Sequence, residues 1–330
     1  MKQKNSFNLP QYADYLFMIE YATKAPSGHN TQPWQFHLHK DGIDIHPDFS
    51  CSLPAVDPDN RELFVSLGCA TENLCIAASH KGYQAQVSIT ENGVIHVKLA
   101  KQDCVPSPLF TQLSERQTNR SIYNGNVIPQ SYIDTLESIH AEPGIHIYSF
   151  SNGTPMFQAI AEKVYAGNNR QMQDNAFKTE LQHWMRYNKS HQNDTRNGLS
   201  YAVFGAPNLP RFLAKFIISQ TINANSQNKS DKKKIAASSH FVLFTVQNNT
   251  LEQWINLGRT LERFLLKATE MGIAHAYTNQ PNEIPELAEQ MAQMLGLGAE
   301  YPVILLRMGY GKKMAYSLRR DVESRLMSTE

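Results

Sequence analysis

Apolar side chains recur every three or four residues at Tyr12, Leu16, Ile19, Ala22 and Ala25. This predicts an amphipathic helix over Tyr12–Ala25. Pro26 and Gly28 end that pattern, and Pro33 forces an extended exit into Trp34-Gln35-Phe36. Two strand-like runs follow, Trp34–His39 and Ile43–His46, joined by Lys40-Asp41-Gly42, which reads as a hairpin. Arg61–Lys81 is long and mostly apolar, a core helix with Gly82 as its C-terminal cap. Gln84–Ile89 and Val94–Leu99 flank Glu91-Asn92-Gly93 and form a second hairpin. Lys101–Pro108 reads as a linker, leading to a short helix that ends near Ser114. Further helices are expected at Pro129–His140, Pro155–Tyr165, Asn175–Tyr187 and Leu251–Met271, with strands at Ile145–Phe150, His240–Val246 and Tyr301–Gly309. Asn188–Pro210 is rich in Asn, Gly and Ser with Tyr201 and Phe204 embedded, the composition of a binding loop or lid.

The two long helices repeat each other. At an offset of 190 residues Leu67, Gly68, Glu72, Ala78 and Gly82 match Leu257, Gly258, Glu262, Ala268 and Gly272. Two related halves, each with a long central helix, would fold as an internal pseudo-dimer. The expected division is residues 1–105 and 106–330, with a lid-like insertion at about 168–234.

Length and charge narrow the function classes. A chain of 330 residues can bury a large core, and a formal net charge of +1 leaves no cation excess for a broad nucleic-acid footprint. No run approaches the roughly 18 apolar residues of a membrane span, and Met1–Pro10 is polar without a signal-peptide core, so a cytoplasmic location is expected. Cys51, Cys69, Cys75 and Cys104 lack Cys-x-x-Cys spacing and read as free thiols. His37 and His39 share a strand face, but no third ligand follows nearby in sequence, and no metal site is expected. Gly-x-Ser-x-Gly, Walker and His-Glu-x-x-His motifs are absent.

Three stretches carry candidate chemistry. In Pro26-Ser27-Gly28-His29-Asn30-Thr31-Gln32-Pro33-Trp34, the groups of Ser27, Asn30 and Gln32 could serve a capped loop or a flat polar ligand. Arg116-Gln117-Thr118-Asn119-Arg120 could be a solvated basic turn, or, if extended, could aim two guanidinium forks and a hydroxyl to one side, as a phosphate monoester requires. Gly272–Gln280 follows the second long helix and ends in Thr278-Asn279-Gln280. The tail adds Arg319-Arg320.

Together these stretches resemble the nitroreductase family. Pro-Ser-x-x-Asn-x-Gln-Pro-Trp resembles its flavin-contacting loop, and Arg-x-Thr-x-Arg its element for the FMN phosphate and ring. Thr278, Asn279 and Gln280 stand where the family contacts the ring edge, departing from its Pro-x-Glu-Gly form, and Arg319 and Arg320 match its C-terminal basic pair. The resemblance implies an α+β nitroreductase fold and an FMN site of Pro26, Ser27, Asn30, Gln32, Arg116, Gln117, Thr118, Arg120, Thr278, Asn279, Gln280, Arg319 and Arg320, with no catalytic residue of fixed identity. Each of these elements occurs once, so one chain carries one site, as in the fused, Acg-like branch of the family. The implied activity is hydride transfer from NAD(P)H through flavin N5 to a nitroaromatic or quinone-like acceptor, in a monomeric pseudo-dimer or weak homodimer. The alternative is a flavin-sequestering protein, its FMN covered by Trp184, Tyr187, Tyr201 and Phe204.

Overall fold

A computed structural model describes residues 11–327; the polar Met1–Pro10 stretch lies outside them. The first sheet is formed by β1 (Trp34–His39), β2 (Gly42–Pro47), β3 (Tyr83–Ile89) and β4 (Ile95–Lys101) in the antiparallel order β1-β2-β4-β3. Both hairpins expected from the alternation are present. A two-residue parallel pairing joins β6 (Met185–Arg186) and β7 (Leu199–Ser200). The second sheet is β5 (Ile145–Ser151), β8 (His240–Val246), β10 (Tyr301–Gly309) and β9 (Ala274–Tyr277), also antiparallel, in the order β5-β8-β10-β9. The chain is therefore α+β, with one sheet in each half.

Two 20-residue helices, α2 (Arg61–His80) and α9 (Leu251–Glu270), pack against each other between the sheets. Their contact is reciprocal. A Cβ added to Gly68 would lie 2.0 Å from the Ile255 carbonyl oxygen and 2.9 Å from the Gly258 Cα; one added to Gly258 would lie 2.0 Å from the Val65 oxygen and 2.9 Å from the Gly68 Cα. Residues 65 and 255, and 68 and 258, are equivalent at the repeat's offset, so the helices meet as an isologous interface within one chain. Glycine is required at both positions because backbone touches backbone. One core spans the two halves, including Ile19, Trp34, Ile45, Leu67 and Leu74 from the first and Leu261, Phe264 and Leu306 from the second. A second core lies behind β8 and β10, with Ile160, Val164, Phe241, Leu243 and Leu305. Strand β8 alternates between them, which explains why it is apolar throughout.

The remaining helices are α1 (Tyr12–Ala22), α3 (Gln130–Glu137), α4 (Pro155–Gln173), α5 (Asn175–Trp184), α6 (Lys189–Thr195), α7 (Arg211–Thr221), α8 (Ala224–Ala236) and α10 (Pro285–Leu295). Helices α7, α8 and α10 are not among the elements expected from the sequence. Helix α8 buries only Asp231 and Ile235 and has no apolar stripe, whereas α7 leaves Phe212, Phe216 and Ile217 exposed and α10 sets Leu287, Met291, Met294 and Leu295 at helical spacing. The expected open connection over Asn188–Pro210 contains α6, β7 and a short 3-10 turn at Tyr201–Phe204. No helix among the described residues is long and apolar enough to cross a membrane.

Candidate cofactor site

A cavity of about 490 Å³ lies at the N-terminal half of α2, bounded by residues from both halves of the chain. That volume falls in the roughly 300–1,000 Å³ range of small-molecule and cofactor sites. Its first wall is the loop after α1, with Pro26, Ser27 and His29, backed by Glu62, Val65 and Cys69 on α2. The second wall carries Arg120, Thr278, Asn279 and Gln280, with Arg307 from the middle of β10. The stretch from α5 to the 3-10 turn supplies the third wall, including Phe177, Leu181, Tyr201 and Phe204. Trp184 and Tyr187, expected beside those aromatics, instead pack in small clusters behind them.

Three residues of the first wall's loop, His29, Asn30 and Gln32, have left-handed backbone, with φ of 49°, 56° and 58°. Such conformations are costly for residues with a Cβ and persist only where surroundings enforce them. Here the enforcement is visible. Ser27 Oγ accepts from the Gln32 N–H at 3.0 Å, and Asn30 Nδ2 donates to the carbonyls of Gly198 and Leu318, both at 3.2 Å. Gln32 Nε2 donates to Arg196 O at 2.9 Å while its Oε1 accepts from the Arg320 N–H at 2.8 Å. Arg319 donates to the carbonyls of Thr23, Lys24 and Ala25, satisfying the C-terminal end of α1.

The thirteen residues proposed from sequence thus divide. Pro26, Ser27, Arg120, Thr278, Asn279 and Gln280 come together on the cavity. Asn30, Gln32, Arg319 and Arg320 brace the loop from behind. Arg116 is buried, donating to Lys24 O at 2.7 Å and facing Glu262 with Nε 3.2 Å from Oε1. Gln117 clamps both the N–H and the C=O of Met314. The expected common face of Arg116, Thr118 and Arg120 is not formed: Thr118 makes only an isolated bridge with His275, so no regular pleat aligns the side chains, and Arg116 and Arg120 diverge.

Two guanidiniums at the cavity have no ion-pair partner among the described residues, although Asp231, paired with Lys234, also lines it. Arg120 has no ion pair or hydrogen bond among the described residues; its guanidinium lies over the Phe204 ring, 5.5 Å from the centroid. Burial, reinforced by neighbouring Arg307, lowers its pKa to about 10. Arg307 is buried without an ion pair, donates to the Asn119 and Ser121 carbonyls, and leaves Nη1 without a hydrogen-bond partner. His29 is driven down to about 4 by burial and then by Arg120, so it is neutral at physiological pH. Buried unpaired cations are unfavourable until an anion joins them.

On the opposite side lie two half-buried carboxyls. Asn279 Oδ1 accepts from the Leu305 N–H and from Asn282 Nδ2, both at 2.9 Å, which turns its Nδ2 onto Glu62 Oε1. Gln171 donates to Glu283, and Glu62 and Glu283 share a hydrogen bond. Burial, then the charge of Glu283, pushes Glu62 up to about 8; burial raises Glu283 to about 7. The pair therefore retains a proton near neutral pH. Thr278 Oγ1 and Gln280 Oε1 are buried at the same wall and lack partners. Unbalanced cations, unpartnered polar atoms and apolar walls fit a flat ligand with an anionic end, the donor set an FMN requires.

Sequence reasoning had not singled out Glu62, Glu283, His29 or Arg307. Arg307 had a signal, a charge inside the otherwise apolar run of Val303–Met308. Glu62 had none, because a Glu in a helix's first turn is ordinarily a solvated partner of the helix dipole.

The fold and cavity define an α+β chain of two fused, related halves that share a core and enclose a ligand-sized cavity at their junction. No family model matches the chain. Curated relatives do: it is 26% identical over 305 residues to the Mycobacterium tuberculosis protein named "Putative NAD(P)H nitroreductase Rv3131", covering 89% of this chain and 84% of that one. It is 21% identical over 307 residues to the M. tuberculosis "Putative NAD(P)H nitroreductase acg", covering 90% and 88%. Among solved structures, the FMN-dependent nitroreductase NfnB of Mycobacterium smegmatis in complex with NADPH aligns at a TM-score of 0.39 and 13% identity, over 61% of this chain and 86% of that one. The chain is thus similar to these putative nitroreductases along nine-tenths of its length.

Proposed function

We propose that the chain is an FMN-dependent oxidoreductase that uses NAD(P)H to reduce a nitroaromatic or quinone-like acceptor, with one cofactor per chain, in the cytoplasm. The proposal includes division into halves at about residue 105, the second bearing the covering insertion. The observation that carries it is the pair of unneutralised guanidiniums, Arg120 and Arg307, facing a cavity rimmed by the Pro26–Gln32 loop and Thr278–Gln280. FMN bound there supplies the hydride chemistry, as cofactors generally do. The chain's own residues bind, orient and protonate. Arg120 and Arg307 attract the anionic end; Thr278 Oγ1 and Gln280 Oε1 offer hydrogen bonds to a polar ring edge; Val65 and Leu181 exclude water. The proton held between Glu62 and Glu283 is available to an acceptor that gains electrons beside it.

Arg120→Ala tests this assignment. Loss of one charge-assisted contact, about 1.5–3 kcal/mol, weakens FMN binding roughly 10- to 100-fold in fluorescence titration of the apoprotein. Affinity within twofold of wild type sinks the site.

A second reading, flavin sequestration, is favoured by the third wall, where Phe177, Tyr201 and Phe204 come from the covering segment. Stopped-flow mixing of the FMN-loaded protein with NADH or NADPH separates the two. Bleaching within seconds supports turnover, and an unbleached flavin supports sequestration.

A further inference from the structure

The outward face of the first sheet gathers metal-ligating side chains away from the cavity. Strand register places His37 of β1 directly opposite Asp44 of β2, and Asp44 directly opposite His96 of β4. His39 and His46 lie two residues along on the same face. The inner face of these strands buries Phe36, Leu38, Ile43 and Ile45, so the histidines have no part in the core. His39 Nε2 lies 2.6 Å from Asp44 Oδ2, and His96 Nδ1 lies 2.8 Å from Asp44 Oδ1. The His37 and His39 rings are 4.4 Å apart, centroid to centroid. One ligand atom each from His37, His39 and Asp44 falls within 4.8 Å of the others. His46 Nε2 is buried beside them without a hydrogen-bond partner.

We propose that His37, His39 and Asp44 form a binding site for a borderline divalent metal, Zn²⁺ in the first instance. Two imidazoles and one carboxylate are a zinc donor set, and three protein ligands leave a position for water. Zinc bonds of about 2.0–2.2 Å require ligand atoms about 3.5 Å apart, so side-chain rotation of about an ångström closes the site without moving the strands. His96 keeps its hydrogen bond to the second carboxylate oxygen and holds Asp44 toward the ion, a positioning role from the next strand. A metal here ties His37 and His39 on β1 to Asp44 on β2, and β1 is the strand into which the Pro26–Gln32 loop runs.

The test is isothermal titration of the EDTA-treated, full-length protein with ZnCl₂, beside His37→Gln/His39→Gln and Asp44→Asn variants. Wild type binds one equivalent of Zn²⁺ with a micromolar or lower Kd; the double histidine variant loses at least 10-fold in affinity and Asp44→Asn weakens binding. Without metal, the double variant melts within a few degrees of wild type, and only wild type is stabilised by added Zn²⁺. Substitution with Co²⁺ gives d–d bands without thiolate-to-cobalt charge transfer, which distinguishes this site from one built on the four free cysteines. Equal zinc affinity in wild type and the double variant overturns the proposal, as does a thiolate band in the cobalt spectrum. FMN content is unaffected by these variants, so failure here is separate from failure of the flavin assignment.

Discussion

Glu62 is the residue whose surroundings contradict its position. It lies in the first turn of α2, yet its carboxyl is enclosed under the Pro26–Gln32 loop, so that a Cβ on Gly28 would lie 3.8 Å from Oε2. Asn279 donates to one oxygen, and Glu283 competes for the same proton. If this pair protonates the acceptor, Glu62→Gln lowers turnover roughly 100- to 10,000-fold without changing FMN content. The wild-type rate declines as pH rises through about 8, where Glu62 gives up its proton, and the variant is flat there. Steady-state kinetics from pH 6 to 9 measures both. A variant with wild-type rate and profile removes Glu62 from the chemistry. Arg116 stands in contrast: it supports Lys24 O and neutralises buried Glu262, so its loss acts first through stability.

Between elements, the decisive contact is the crossing of α2 and α9 at Gly68 and Gly258. Either Gly→Ala substitution drives a methyl into a carbonyl 2.0 Å away, and the helices must separate. Such overpacking costs typically 1–3 kcal/mol and, against backbone, the upper end or more. We expect the melting temperature to fall by roughly 6–9 °C in each variant, read by circular dichroism. A change below 2 °C means that the helices cross elsewhere.

Elements also show what the sequence could reveal. The hairpins, the paired long helices and the break at Pro26–Gly28 were legible because strand alternation, helical periodicity and turn chemistry are local signals. Helix α8 was not, since a helix that buries only Asp231 and Ile235 leaves no stripe; α7 and α10 do carry apolar residues at helical spacing and were readable in principle. The common face inferred for Arg116, Thr118 and Arg120 assumed a ladder that the chain makes at only one residue. The pairing of His37 with Asp44 was readable in principle. A hairpin turning at Lys40-Asp41 puts them opposite each other, but a search along the sequence looks past a ligand supplied across strands.

At the scale of the molecule, the repeat is symmetric in backbone and asymmetric in charge. Glu72 and Glu262 are equivalent, yet Glu72 is paired with Arg259 and Arg263 while Glu262 faces Arg116. The position equivalent to Cys69, which lines the cavity, is Arg259, whose guanidinium also reaches Glu142 at 3.0 Å. An ion-pair cluster therefore stands where a second, symmetry-related cavity would need an open wall. Global stability carries the imprint of the open one. Asp57, Glu62 and Glu283 all have folded pKa values raised by burial, to about 7, 8 and 7, so between the unfolded carboxylate range and about pH 8 the folded state holds more protons than the unfolded. These carboxyls take stability away as pH rises toward 8, whereas His29 and His275, lowered by burial to about 4 and 3, add stability as pH rises through the unfolded histidine range near 6.5, so the decline shows above pH 7. Thermal melts of the apoprotein from pH 7 to 8.5 check this decline, which Glu62→Gln makes shallower.

The bracing of the Pro26–Gln32 loop has a consequence for how the protein is made. Its strained residues lie near the start of the chain, and the groups that hold them, Leu318, Arg319 and Arg320, are nearly three hundred residues later. A ribosome releases the loop long before it builds those partners. During synthesis the loop has no reason to leave ordinary backbone conformations, and the cavity lacks one wall. The cavity is therefore completed only after residue 320 has emerged, so a ligand bound in it would join a finished fold rather than nucleate one.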